Sequence, residues 1–394
     1  MSMMAWLLVS LPILVGGYAY LLYPAILWLI SRGSSAPQVF PVREWPLVTV
    51  AIPAYNEEAQ IAGCLEAVLA QDYPIDRLQI LVLSDASSDR TDDIVRGFQH
   101  QGVELLRMTT RAGKTAAENA SCSLIRGNIV VNTDASIRFH PSTVRKLVEQ
   151  MQDPSVGVAS TRDVSISERD ASANQAEAGY VGYEMLVRSL ETRVGGIIGA
   201  SGSGYAIRTD LHKLPVRDDL SRDFSAALTA RMHGYRAVSV DDAICYVPRT
   251  HGLDREYRRK VRTISRGMET LYHNRQLLDP TRYGAFAWKL FSHKILRWFV
   301  PHAALAGVVG VAMFAPTHWI TGAVLLTATA ACAGAFVLVK LSGERHVPAP
   351  ISALGFAVAA NIAVIHASWR FALGHEDHIW EPTRRGSPAT GAAT

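Results

Sequence analysis

Cysteine is scarce in this 394-residue chain, with four in all. Cys64, Cys122, Cys245 and Cys332 stand far apart, and no Cys-x-x-Cys or other zinc-like spacing occurs. That excludes a cysteine-built metal site and a disulfide scaffold, and it fits thiols kept reduced. Glycine-rich phosphate loops are also missing. No Gly-x-Gly-x-x-Gly follows the first strand-like run, which argues against a dinucleotide fold. Arg111-Ala112-Gly113-Lys114-Thr115 has the end of a nucleoside-triphosphate loop but lacks its first glycine and its preceding strand. Charge is missing from three long stretches: Met1 to Ser31, Trp298 to Val339 and Val347 to Trp369.

A bilayer core takes roughly 20 apolar residues per helix. The first stretch suits one span, the second two with a turn at Ala315-Pro316-Thr317-His318-Trp319, and the third one more. The N-terminal run has no basic segment before it and no clear cleavage site, so it reads as a retained anchor. Buried core helices are the alternative for the C-terminal runs, opposed by their length. Arg249 to Arg297 holds 12 Lys/Arg against four Asp/Glu, a local +8 in a chain of net charge +4. Arg32 and Arg43 follow the first run. Basic flanks on both sides place the central region in the cytoplasm; attraction to anionic headgroups is compatible. Four crossings would put both ends outside, whereas Arg370, Arg384 and Arg385 favour the inside. Either one C-terminal segment lies in the interface or the tail breaks the rule.

Between Leu47 and about Val247 strands alternate with helices. Leu47–Ile52, Leu78–Leu83, Val103–Leu106 and Gly127–Asn132 are apolar, β-rich runs. Ala59–Ala70, Thr91–Phe98, Thr115–Ile125 and Pro141–Met151 have helical spacing. The alternation implies a largely parallel sheet, whose ligands bind beyond the carboxyl ends of the strands. Polar residues follow three of these strands: Tyr55-Asn56-Glu57, Ser84-Asp85 and Thr133-Asp134.

The segments VTVAIPAYNEE, QDYP, LVLSDASSDRT, RAGKTAAENA and VNTDAS, then GASGSGYAIRTDL, LSRDFSAALTARMHGYRAV, RRKVRT, KLFSHKILRWFVP and WEPTRR, occur in one order. Together they resemble the inverting, membrane-embedded glycosyltransferases of family 2, among them cellulose, chitin and hyaluronan synthases and bacterial exopolysaccharide transferases. The resemblance implies an α/β GT-A domain, with a Rossmann-like, mostly parallel sheet and flanking helices, between N- and C-terminal transmembrane helices. The expected division is an anchor at 1–31, a cytoplasmic catalytic domain at 45–250, a basic segment and interfacial helix at 251–298, about three spans within 299–370, and a polar tail at 371–394. In that interfacial helix Trp288, Lys289, Lys294, Arg297 and Trp298 would meet the headgroups.

The resemblance also assigns roles. Ala54, Tyr55, Asn56 and Glu57 would line the nucleotide of a UDP-sugar, and Asp85 would accept from uracil; the plainer alternative is that Asp85 or Ser87 caps the next helix. Lys114 would sit near the nucleotide or diphosphate, the plainer alternative being a solvated lysine before a helix, and Arg262 would hold the diphosphate. Asp134 stands at the first acid of the family's Asp-x-Asp, with Ser136 at the second. It implies a weak, donor-dependent Mg²⁺ or Mn²⁺ site with one carboxylate. Asp223 would be the general base. Arg222 replaces the acid that many relatives carry before it, and could stabilise the ionised base. Gly202, Ser203 and Arg259 would meet the acceptor. Arg259 and Thr263 replace the Gln and Trp of Gln-x-x-Arg-Trp, which counts against a sugar-stacking platform there. A membrane-facing role fits Arg258, Lys260 and Arg266. Trp380, Arg384 and Arg385 would return to the site.

The implied function is β-linked transfer from a UDP-sugar to a lipid-linked or growing saccharide acceptor at a bacterial inner membrane. Membrane lipids are expected partners and nucleic acid is not. Three or four spans are few for a polymer channel, so such a channel would need a homo-oligomer or export partner. The competing expectation is a nucleotide-sugar- or saccharide-binding membrane sensor with degraded catalysis, motivated by the missing acids and Trp.

Overall fold

The structure is a computed structural model describing residues 3–33, 40–166, 172–248, 253–314, 319–342 and 347–375. The expected contact of Trp380, Arg384 and Arg385 with the site lies outside the described residues, as does the turn at 315–318. The strands are β1 (Val48–Ala54), β2 (Leu78–Ser84), β3 (Val103–Arg107), β4 (Ile129–Thr133), β5 (Arg138–Phe139), β6 (Val156–Ile166), β7 (Gly204–Arg208) and β8 (Arg236–Pro248). The helices are α1 (Met3–Gly17), α2 (Tyr23–Ser31), α3 (Ile61–Leu69), α4 (Thr91–Gly97), α5 (Lys114–Ala120), α6 (Thr143–Met151), α7 (Ser172–Arg193), α8 (Thr209–His212), α9 (Arg222–Met232), α10 (Leu253–His273), α11 (Pro280–Tyr283), α12 (Ala285–Leu290), α13 (Leu296–Phe314), α14 (Trp319–Ser342) and α15 (Ala349–Ala372).

Alternation along the strands builds a core on both faces of the sheet. Val48, Val50 and Ile52 of β1 face α3, with its Ile61, Leu65 and Val68, and α6, with its Val144, Leu147 and Val148. Ala51 points the other way, with Leu81, Leu83 and Val130, toward Ala117 of α5 and Ala226, Ala227 and Ala230 of α9. The sheet order is β3-β2-β1-β4-β7-β6-β8-β5. Its first four strands are parallel, with Val50 beside both Ile80 and Val131. β7 then runs antiparallel to β4 and β6, β8 runs parallel to β6, and β5 runs antiparallel to β8. Helix α5 stops at Ala120, short of the expected Ile125. Ser121 Oγ and Cys122 Sγ donate back to Glu118 O and turn the chain into a 3₁₀ segment.

Among the described residues, four helices are long and apolar enough to cross a membrane: Met3–Ser31, Ala285–Met313, Trp319–Leu341 and Pro350–Ala372. α1 lies directly on α13. A Cβ on Gly310 would sit 2.7 Å from Leu8 Cβ, and one on Gly307 2.7 Å from Pro12 Cγ. Only glycine permits that approach. Amphipathic α10 packs Val261 onto Ala363 and Ala367 of α15, and Tyr257 Oη lies 2.9 Å from His366 Nδ1. The carboxyl-terminal half of α15 therefore ends beside the sheet domain.

The expected headgroup-facing helix is buried instead. Lys289 is 1% exposed and donates to Val194 O (2.9 Å) and Gly196 O (2.5 Å). Trp288 Nε1 donates to Tyr18 Oη (2.8 Å), and Arg297 to Glu184 (2.7 Å). These side chains join the first and second apolar helices to α7; lipid-facing charge was the wrong expectation because their partners come from remote parts of the chain.

Candidate active site

Parallel pairing brings the ends of β1, β2 and β4 to one edge of the sheet. Asn56 and Ala86, just past β1 and β2, adopt left-handed φ of 52° and 57°. Such angles are uncommon for side chains of this kind and concentrate at functional loops. Asn56 Oδ1 accepts from Ser88 N (2.8 Å), and Glu57 N donates to Thr91 Oγ1 (2.8 Å), so the two loops brace each other. Ala54 is buried at the end of β1. Arg111 stacks over the Tyr55 ring at 3.8 Å, a pairing with no signature in the sequence.

Asp85 is 2% exposed, and its two oxygens accept from Ala112 N and Gly113 N, each at 2.8 Å. Its carboxylate thus pins the backbone that leads into Lys114. It does not cap α4; Asp89 Oδ1 takes Thr91 N (2.9 Å).

A cavity of about 290 Å³ gathers Lys114, Asp134, Gly202, Ser203, Asp223, Arg259 and Arg262, together with Asp163 and Arg266. Ala54 to Glu57 and Asp85 lie on the same sheet edge but outside its lining. Lys114 Nζ is 2.6 Å from Asp134 Oδ1. Burial pulls the Lys114 pKa down, but the carboxylates of Asp134, Glu118 and Asp223 outweigh it and hold the ammonium above the ordinary lysine value. Among the described residues no three His, Cys, Asp or Glu side chains gather around a common metal position. Asp134, already engaged by Lys114, fits a cation completed by phosphate oxygens of a donor better than one held alone.

Asp223 lies in the first turn of α9, after Ser221 at the N-cap position, and Ser221 Oγ donates to Asp223 Oδ1. It is therefore not the cap. A Cβ on Gly202 would stand 3.0 Å from Asp223 Oδ2, so the loop backbone rests against this carboxylate. The same loop is tied to β4 by Thr133 Oγ1 donating to Ser203 O (2.9 Å). It is tied to β6 by Ser201 Oγ and Ser203 Oγ donating to Asp163 Oδ2 (2.6 and 3.3 Å). Asp163 was not foreseen; it sits in a strand with no motif around it.

Arg222 does not accompany the base as expected. Its guanidinium turns inward to Asn119 Oδ1 (2.5 Å), His212 O (2.6 Å) and, at 3.7 Å, Glu118. Burial raises the Glu118 pKa, partly opposed by Lys114 and Arg222. Helical spacing sorts α10 into two faces. Arg259, Arg262, Thr263 and Arg266 line the cavity, while Tyr257, Val261 and Ile264 face α15. Arg259 is clasped by Glu256 at 2.9 and 2.7 Å. Arg266, expected at the membrane, donates instead to Leu220 O (2.8 Å) and Asp218 O (3.1 Å). Arg258 is exposed.

Comparison with known proteins agrees with this geometry. Residues 49–205 match the model for glycosyl transferase family 2, and residues 129–339 that for glycosyl transferase family group 2. An N-acetylglucosaminyltransferase of Rhizobium sp. (strain N33) is 30% identical over 151 residues, 34% of this chain and 33% of the relative. The beta-monoglucosyldiacylglycerol synthase of Trichormus variabilis is 24% identical over 199 residues, covering 48% and 41% of the two chains. The chain thus spans about a third of the first of these curated relatives. Among solved structures, the mannosyltransferase PcManGT from Pyrobaculum calidifontis, in complex with GDP-Man and Mn²⁺, superposes with a TM-score of 0.71 at 22% identity. That match covers 94% of this chain and 100% of the other, and shows the same GT-A fold.

Proposed function

Because the chain belongs to the family 2 glycosyltransferases, we propose that it acts on a sugar-nucleotide donor and transfers a sugar from a UDP-sugar, with inversion to a β-linkage, onto a lipid-linked or growing saccharide acceptor at the membrane. The observation that carries this reading is one loop, Gly199 to Gly204. It is tied beside Asp134 through Thr133 and rests against Asp223 through Gly202. A donor carboxylate and a base carboxylate are thereby held at a fixed separation.

Lys114 and Arg262 stabilise the diphosphate, with Arg266 bracing the cavity wall. Asp223 takes the proton of the acceptor hydroxyl as its oxygen attacks the anomeric carbon. The bond from that carbon to the phosphate oxygen breaks, and its electron pair leaves with the diphosphate. Attack on the face opposite the leaving group inverts the anomeric centre. A divalent ion on Asp134 would neutralise charge developing on the diphosphate. The Rhizobium and Trichormus relatives, by their names, handle N-acetylglucosamine and a glucosyl lipid, and PcManGT was solved with GDP-Man and Mn²⁺. The sugar of this chain is open among such donors. Family membership favours an enzyme over a sensor.

The packing of α15 onto α10 bears on orientation. With the sheet domain in the cytoplasm, Arg370 at the end of α15 also lies on that side, as its charge favours. One C-terminal apolar helix then lies in the interface.

Purified protein supplied with a panel of nucleotide-sugars, with and without Mn²⁺, should release the nucleoside diphosphate from one preferred donor. Asp223→Asn should keep donor affinity and lose on the order of 10²-fold or more in transfer. Unchanged turnover in that variant would remove Asp223 from the mechanism.

A further inference from the structure

The turn that leads from α7 toward the Gly199–Gly204 loop is held by the second apolar helix. α7 ends at Arg193, and Val194 N and Gly196 N donate back to Glu191 O (3.1 and 2.8 Å). Gly195 and Gly196 take φ of 90° and 113°, angles that glycine adopts without strain. A Cβ on Gly196 would stand 2.5 Å from Ala237 O, so the turn is pressed onto β8. Lys289 enters this turn from α12. Its Nζ donates to Val194 O (2.9 Å) and Gly196 O (2.5 Å), and the side chain is 1% exposed. A cation is favoured beside the carbonyl end of a helix. Burying an ammonium is costly, so the sequence keeps one here only against fixed acceptors.

Lys289 does not line the cavity that holds Asp223. Its reach to that carboxylate is indirect and short. Ile197, next after Gly196, donates its N–H to Ala237 O (2.7 Å). Ile198 belongs to one apolar cluster with Phe286 and Leu290, which lie on either side of Lys289 in α12, and with Phe224 and Leu228 of α9. The loop's glycines then meet two consecutive residues of α9. A Cβ on Gly199 would be 3.2 Å from the Phe224 ring, and one on Gly202 3.0 Å from Asp223 Oδ2. α12 therefore grips the start of the loop through Lys289 and packs against the base helix through the Ile198 cluster. The gap between loop and carboxylate is set by that one short helix, which opens the second apolar span Ala285–Met313.

We propose that Lys289 is a positioning residue for the transfer reaction. It fixes the carbonyls of Val194 and Gly196, and through them the placement of Gly202 against Asp223. The proposal rests on Asp223 being the base. Lys289 touches neither donor nor acceptor, so its removal slows the chemical step and leaves nucleotide binding intact. The clamp belongs to an apolar helix, so the seating of that helix sets the geometry of the base.

The test uses the full chain in maltoside micelles. Lys289→Met removes the ammonium and keeps an unbranched side chain in the same buried place. Amide exchange at residues 197–203 should rise about tenfold or more, while calorimetry finds UDP affinity unchanged. With the donor that the nucleotide-sugar panel selects, kcat should fall about tenfold and donor KM should hold. Lys289→Met and Gly202→Ala disturb the same gap, so the double variant should lose no more than about threefold beyond the worse single one. A residue that served stability alone would give additive losses. Additive losses, unchanged exchange at 197–203, or UDP affinity falling in step with kcat would overturn the proposal. Lys289→Gln keeps a neutral donor one atom shorter and carries the same cycle if the Met variant does not fold. Full transfer by Asp223→Asn would remove the base assignment by itself, and exchange at 197–203 would still decide whether Lys289 holds the loop.

Discussion

Removing the Asp85 carboxylate separates two accounts of that residue. In the structure its oxygens accept from Ala112 N and Gly113 N at 2.8 Å, in a buried position. Hydrogen bonds to a charged group contribute about 1.5–3 kcal/mol each. Asp85→Ala therefore costs roughly 3 kcal/mol or more in holding the segment before Lys114. Local opening of that loop, rather than global unfolding, is the expected response. At about 1.4 kcal/mol per decade, exchange protection at the Ala112 and Gly113 amides should fall on the order of a hundredfold. Lys114 would lose its fixed approach to Asp134, so affinity should fall for UDP and GDP alike. Hydrogen exchange resolved to this segment, with calorimetry for both nucleotides, reads both effects. If protection at residues 112–113 is unchanged and only UDP affinity falls, the carboxylate recognises uracil and the loop-pinning account is refuted.

Three further outcomes follow from the site. Gly202→Ala places a methyl 3.0 Å from Asp223 Oδ2; a base displaced by a few tenths of an ångström should cost about tenfold in kcat with little change in donor KM. Lys114→Ala frees Asp134, so Mn²⁺ affinity without nucleotide, measured by electron paramagnetic resonance, should rise about tenfold although turnover falls; unchanged Mn²⁺ affinity would mean that Lys114 and the metal do not compete. Burial raises the Glu118 pKa above its unfolded value, so the native state holds a proton that the unfolded chain releases, and stability falls as pH rises above about 4.3. Glu118→Gln should then melt higher than the wild type at pH 8 and approach it near pH 4, and a gap that widens toward acid would contradict this sign.

The first half of the sheet was legible because β1, β2 and β4 are buried on both faces and so appear as short unbroken apolar runs. The mixed second half was not, since antiparallel insertion of β7 between β4 and β6 depends on pairing across 71–79 residues to β4 and 45–49 to β6 rather than on local pattern. At the site, Lys114, Asp134, Asp223 and Arg262 carry motif-like surroundings, and one cavity brings them together. Asp163, in the same cavity, has none. Asp85 is held by the Ala112 and Gly113 amides, and Arg222 turns inward to Asn119 and His212. A motif names the side chain, whereas burial decides whether it turns to ligand or to backbone. Arg266 shows the same limit on α10, where one helical face serves the cavity and the other α15.

The fit of α1 against Gly307 and Gly310 has a consequence for biosynthesis. The ribosome finishes the first apolar helix about 300 residues before the helix that receives it. At roughly 5–20 residues per second, that interval is some 15–60 s. Throughout it, Leu8 and Pro12 lack the glycines they later pack on, while Tyr23 waits only 168 residues for Glu191. The sheet domain must fold while tethered to an anchor whose groove is still vacant, so the emerging chain passes through a stage open to other small-residue helices in the membrane. Truncations that end before α13 should remain at that stage, bound to the bilayer and prone to pairing through the wrong partner.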